Sequence, residues 1–82
     1  MSLIHDFQSR TPVAYFLREE RTRVGLKQSE LAIRLGVPQS FVSKYEIGER
    51  KLEFGEVQAI CIALGLSLSE LAAKVEESEG QQ

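Results

Sequence analysis

The chain is 82 residues long, 43% hydrophobic and 27% charged, with a net charge of −2. That length fits one small domain with a modest core, and the composition is that of a globular protein rather than a disordered or membrane-spanning one. One cysteine and one histidine are too few for a zinc centre or a His-based nucleophilic site, so no enzyme activity, metal or other cofactor is expected.

Five helices and no strand are predicted, an all-α fold. Residues 1–10 read as an N-terminal extension. Thr11 as N-cap and Pro12 at the first helical position open the first helix. Val13, Phe16, Leu17, Glu20 and Val24 follow at helical spacing, and Gly25 ends it. The second helix runs from Gln28 to Leu35, with Leu31, Ala32 and Leu35 on one side and Gly36 as its stop. Pro38 opens the third, through about Ile47, with Phe41, Val42 and Tyr45 apolar. Gly48 stops it, and "GERKLEFGE" reads as a loop. On the fourth helix Val57, Ile60, Cys61 and Leu64 sit at i, i+3, i+4 and i+7. Cys61 therefore reads as a small buried hydrophobe rather than a redox centre. After Gly65, Ser67 and Glu70 form the S-x-x-E capping pattern, and Leu68, Leu71, Ala72 and Val75 carry the fifth helix. The domain spans residues 11–76, and residues 77–82 read as an acidic polar tail, too polar to pack.

The second and third helices are too short to be stable alone, so they make sense only as a docked pair. Ala32 is small where the two axes approach, Gly36 can take the left-handed turn, and Val42 packs back. That arrangement is a helix-turn-helix, and in its DNA-binding form the second helix of the pair enters the major groove. The charge distribution agrees. Residues 18–51 hold eight bases against five acids, whereas residues 52–82 hold one base against six acids. A basic middle segment lies inside a chain of negative net charge.

Gln28, Glu30-Leu31-Ala32, Leu35-Gly36, Gln39-Ser40, Val42, Glu46, Gly48 and the closing "ALGLSLSEL" resemble, at matching spacing, the Cro/repressor-type (XRE-family) helix-turn-helix proteins. The resemblance covers about residues 13–72 and implies a compact five-helix, λ-repressor-like DNA-binding domain. It makes Gln39, Ser40, Ser43 and Lys44 the base-reading positions. The chemistry fits, since Gln pairs bidentately with adenine and Lys donates to guanine. Phe41 beside them either touches a thymine methyl or packs the turn. The resemblance makes Gln28 a phosphate contact, and Lys27, Arg50 and Lys51 flank the motif within phosphate reach. It also implies a partly buried structural ion pair between Arg21 and Glu46. Arg34 reads as a solvated charge. Two positions depart from the family pattern: Lys27 and Pro38 stand where capping Ser, Thr or Asn residues are usual.

The expectation is a sequence-specific transcriptional regulator, a repressor binding double-stranded DNA as a homodimer. Its half-sites would lie about one helical turn apart on a roughly palindromic operator. Leu68, Leu71 and Val75 are the first choice of dimer surface and the N-terminal "SLIHDF" the second. With a lone cysteine, no signal-peptide pattern at the start and no apolar run long enough to span a membrane, the expected compartment is the cytoplasm. No small-molecule ligand is evident. Two other readings stand beside this one: the antitoxin of a toxin–antitoxin pair, and a protein-interaction module that has lost DNA binding.

Overall fold

The structure, a computed structural model, describes residues 13–80. The Thr11–Pro12 start, the 1–10 extension and His5 lie outside the described residues. Five helices follow one another: α1 (Val13–Arg23), α2 (Gln28–Leu35), α3 (Gln39–Glu46), α4 (Phe54–Leu64) and α5 (Leu68–Gly80), with no strand among the described residues. Among the described residues no single helix is long and apolar enough to cross a membrane.

The core takes one to three side chains from each helix. Leu17 of α1, Leu31 and Ala32 of α2, Val42 and Tyr45 of α3, Ile60, Cys61 and Leu64 of α4, and Leu71 of α5 converge with Leu66 from the last turn. Burial pushes the Cys61 thiol above its ordinary pKa, as expected of a packing residue. Tyr45 has no exposed surface, and its hydroxyl finds no hydrogen-bond partner among the described residues. The ring is held for its bulk at the centre of the domain.

Local chemistry sets the ends of the helices. Gly36 adopts φ +73°, which an L side chain rarely takes. Its N–H donates to Ile33 O at 3.2 Å, and Val37 N–H donates to Ala32 O at 3.1 Å. These two bonds are a Schellman stop that reverses the chain between α2 and α3. Pro38 is the N-cap of α3, with φ −65° and ψ 153° and no side-chain cap. Its ring presets the extended entry that a capping Ser would hold by a hydrogen bond.

Two expectations change. The stretch read as a loop from Gly48 to Glu56 is helical from Phe54 onward. Glu56 reaches back to the Glu53 N–H at 2.9 Å, which closes one half of a capping box and places a carboxylate at the positive end of α4. The stretch read as an acidic polar tail from residue 77 is helical as far as Gly80, the end of α5; Glu is a good helix former. At Ser67–Glu70 the capping box is complete, with the Ser67 N–H on Glu70 at 2.9 Å and the Glu70 N–H on Ser67 Oγ at 3.0 Å.

α5 lies along α1. The apolar stripe expected to join two copies is thereby used inside the domain: Leu71 is 3% exposed, Leu68 packs on the core, and Val75 is half-buried. Glu20 on the facing side of α1 is buried, and its partner is Arg23 one turn later. That hydrogen bond holds the Glu20 carboxyl below its usual range, against the opposing push of burial.

At α2 the Lys27 N–H donates to Glu30 Oε1 at 2.8 Å. The return bond is missing, because an ammonium cannot accept from the helix N–H. Lys27→Thr should supply that half alone and raise stability by about 1 kcal/mol. A denaturant midpoint that rises at unchanged slope checks this.

Candidate nucleic-acid interface

The helix-turn-helix pair is held by one polar network at the edge of the core. Arg21 of α1 grips Glu46, the last residue of α3, with Nε at 2.7 Å and Nη2 at 3.0 Å. The third arm of the guanidinium, Nη1, donates to Leu26 O at 2.7 Å, just before α2. Gln28 at the start of α2 donates Nε2 to the same Glu46 carboxylate at 2.8 Å. Gln39 at the start of α3 donates to Gln28 Oε1 at 3.4 Å, near the long limit of a hydrogen bond. The Arg21 and Glu46 side chains are 12% and 2% exposed. The Glu46 hydrogen bond holds the Arg21 guanidinium above its already high range, against the pull of burial.

α3 divides around its axis into sectors. Val42 and Tyr45 face the core. Gln39 and Glu46 lie on the edge that joins the network. Phe41 lies on the opposite edge, half-buried, with its ring edge-on to Tyr45 at 5.8 Å. The Arg50 guanidinium sits 4.6 Å above the Phe41 ring, and its Nη2 bonds Glu56 at 2.6 Å. Through these contacts Phe41 packs the turn. They also tie Arg50 to the loop and α4 rather than leaving it extended for a phosphate.

The remaining sector faces outward. Ser40 and Lys44 are exposed, and Ser43 is half-buried with its hydroxyl on Ser40 O at 3.3 Å. One residue of this sector escaped the sequence reading. Ile47 follows Ser40, Ser43 and Lys44 at the i, i+3, i+4, i+7 spacing and is 67% exposed. The signal was present in the spacing, but an apolar residue at a helix end reads first as core.

Lys27 and Lys51 are exposed at the flanks of the pair. Among the described residues no carboxylate pairs with Lys27, Lys44 or Lys51. Arg34, read as a solvated charge, is exposed and also donates Nη1 to Ala63 O at 2.9 Å. It supplies from α2 the cation that the last turn of α4 lacks. No group of three or more His, Cys, Asp or Glu among the described residues could hold a metal ion.

Arg21→Ala should leave the enclosed Glu46 carboxylate with Gln28 as its one remaining partner and cost about 3 kcal/mol. Replacing both partners by apolar residues, Arg21→Met with Glu46→Leu, should recover much of that loss, since buried pairs are often matched by well-packed hydrophobes. Chemical denaturation of the single and double variants checks this.

The profile of the Helix-turn-helix family HTH_3 matches residues 17–76. Among solved structures, the clp gene regulator ClgR from C. glutamicum is 26% identical, with a TM-score of 0.74 over 84% of this chain and 88% of that one. The restriction-modification controller protein C.AhdI from Aeromonas hydrophila is 31% identical, with a TM-score of 0.69 over 78% of this chain and 97% of that one. No curated protein matches the chain. The family match runs from within α1, across the helix-turn-helix and α4, to within α5, and the chain belongs to the helix-turn-helix family.

Proposed function

We propose that this protein is a DNA-binding transcription regulator that lays α3 in the major groove of its operator. The observation that carries the reading is the outward sector of α3, Ser40, Ser43 and Lys44, flanked by exposed Gln39 at its start and Ile47 just past its end, on a helix fixed at both ends by the Arg21–Glu46–Gln28 network. Of the similar solved structures, ClgR is named a clp gene regulator and C.AhdI a restriction-modification controller protein. The site of action is wherever the operator lies, which for such a regulator is the cytoplasm.

Each residue has a definite part in this reading. One hydrogen of the Gln39 amide is held by Gln28. The other hydrogen and the carbonyl oxygen suit adenine N7 and N6–H. Lys44 donates to a guanine or a phosphate. Ser40 and Ser43 are short enough to let the helix sit deep. Ile47 offers an apolar surface to a thymine methyl. Lys27, Lys51 and the α2 start at Gln28 contact phosphates, which position the domain without reading sequence. The protein acts as a homodimer on a roughly palindromic operator. One domain makes few base contacts, and a second copy multiplies them. It represses by occupying that operator.

Selection from a randomised duplex library tests the reading. Gln39→Ala should relax one position per half-site, cost about 1–3 kcal/mol on the matching operator, and leave the salt dependence unchanged. Equal selectivity of wild type and Gln39→Ala would reject the docking.

Ile47 has a more local test. Replacing one thymine per half-site by uracil removes only the C5 methyl. Wild-type protein should lose affinity by about threefold to tenfold, whereas Ile47→Ala should bind both duplexes equally. Fluorescence anisotropy on the two duplexes checks it.

A further inference from the structure

Four polar side chains run in line from the edge of the core to the start of α3. Arg21 comes first, its Nε and Nη2 fixing the two oxygens of Glu46 at 2.7 and 3.0 Å. Glu46 is next, with its side chain 2% exposed. Gln28 follows, half-buried, donating Nε2 to Glu46 Oε1 at 2.8 Å. Gln39 is last and exposed, donating Nε2 to Gln28 Oε1. The line has a direction. A carboxylate accepts hydrogen bonds and cannot donate one, whereas an amide carries donors at one end and an acceptor at the other. Facing Glu46, Gln28 has to turn its NH2 inward, and its carbonyl oxygen then faces Gln39. Gln39 has to answer with its own NH2. A flip of either amide would set acceptor against acceptor.

We infer that Glu46 determines base specificity without touching the base, by fixing through Gln28 which end of the Gln39 amide is offered to the duplex. The inference rests on the proposed docking of α3 and deepens it. Held by Gln28, the Gln39 amide has one N–H and its carbonyl oxygen left to offer. One donor beside one acceptor matches adenine N7 and N6–H. Guanine shows two acceptors on the same edge, N7 and O6. The free N–H can meet only one of them, and the Gln39 oxygen would then oppose the other. An untethered glutamine can instead turn its NH2 to guanine. The tether therefore rejects guanine as well as suiting adenine.

The source of such a direction has to be a group that reads the same whichever way it turns. Glu46 is one, since both of its oxygens accept and Arg21 engages both. Among the described residues the Gln28 and Gln39 amides make no other side-chain hydrogen bond, so nothing else there sets how they face. A glutamine at position 46 would lose the property. It could show Gln28 either its oxygen or its NH2, and in both cases its NH2 would oppose one donor of Arg21, so neither direction would be favoured. The Gln28–Gln39 bond is long, at 3.4 Å, and adds little strength; its effect is on orientation.

Binding of the full chain to two duplexes tests this. They differ only at the operator position that Gln39→Ala relaxes, with adenine in one and guanine in the other. Wild type should prefer adenine by about tenfold or more. Gln28→Ala, which leaves Glu46 its Arg21 fork, and Glu46→Gln should each reduce that ratio by about fivefold, with preferences at the other operator positions unchanged. Circular dichroism melts set a temperature at which each variant is folded, and Gln28→Ala decides the matter if Glu46→Gln does not fold. In the free protein, the heteronuclear NOE of the Gln39 side-chain amide should exceed that of exposed Gln58 and fall to it in Gln28→Ala. Affinity lost equally on the two duplexes is what a purely structural role would give, and it would overturn the inference. So would a wild-type Gln39 amide as mobile as that of Gln58. A wild type that selects no duplex would reject the proposed function and this inference with it. A wild type that reads through Gln39, with the ratio unchanged in both variants, would reject this inference alone.

Discussion

Glu46 is the carboxylate on which the arrangement of the helix-turn-helix depends. It stands at the last position of α3, where the helix dipole already presents negative charge, and its side chain is 2% exposed. Alone it would be a costly group in a costly place. Arg21 converts it into an anchor, because a guanidinium fork matches a carboxylate with two parallel bonds. The same guanidinium holds Leu26 O, and the same carboxylate holds Gln28. One ion pair thus fixes the end of α3, the entry to α2 and the first residue of α2 against α1. Helices of eight residues cannot hold their own positions, so the angle between them is set by such contacts and by the core beneath.

The proposed reading face of α3 is what remains after the fold has used the rest of the helix. Val42 and Tyr45 go to the core, Glu46 and the Gln39 amide to the network, and Phe41 to the turn under Arg50. Each tie removes freedom that DNA binding would otherwise have to remove. Arg50 shows the cost of this economy. A flanking arginine that looks available for phosphate is engaged by Glu56 and Phe41, and it stiffens the loop between α3 and α4 instead.

Much of this was legible in the residues themselves. Four glycines mark the four helix stops, and all four adopt positive φ. The bounds of α2 follow from Gln28 and Gly36, and the buried residues of α2 and α3 are those that the spacing marks. The start of α4 was not legible, because Glu53 is a poor N-cap residue on composition and only the Glu56 side chain reaching back reveals the cap. The inward role of Leu68, Leu71 and Val75 was hidden for a different reason. An apolar stripe on a terminal helix looks the same in sequence whether it covers its own domain or a partner. The bond from Arg34 to Ala63 and that from Gln28 to Glu46 join residues 29 and 18 apart, and nothing local in the chain announces them.

Net charge misdescribes this molecule in two ways. The overall value of −2 averages a basic motif with an acidic end, as the distribution along the chain already shows. Folding then sorts the bases again. Arg21, Arg23 and Arg50 are committed to carboxylates, and Arg34 to a helix end. The cations left for a polyanion are chiefly lysines: Lys27 and Lys51 at the flanks and Lys44 on the outer face of α3. The division follows the chemistry of the two side chains. A planar fork suits fixed, bidentate bonds inside the fold, whereas a flexible ammonium suits a phosphate backbone that must be met over a range of positions. Among these residues structural duty falls to arginine and, on the proposed docking, adaptable contact to lysine, which would let the domain stay rigid at the network while its edges accommodate the duplex.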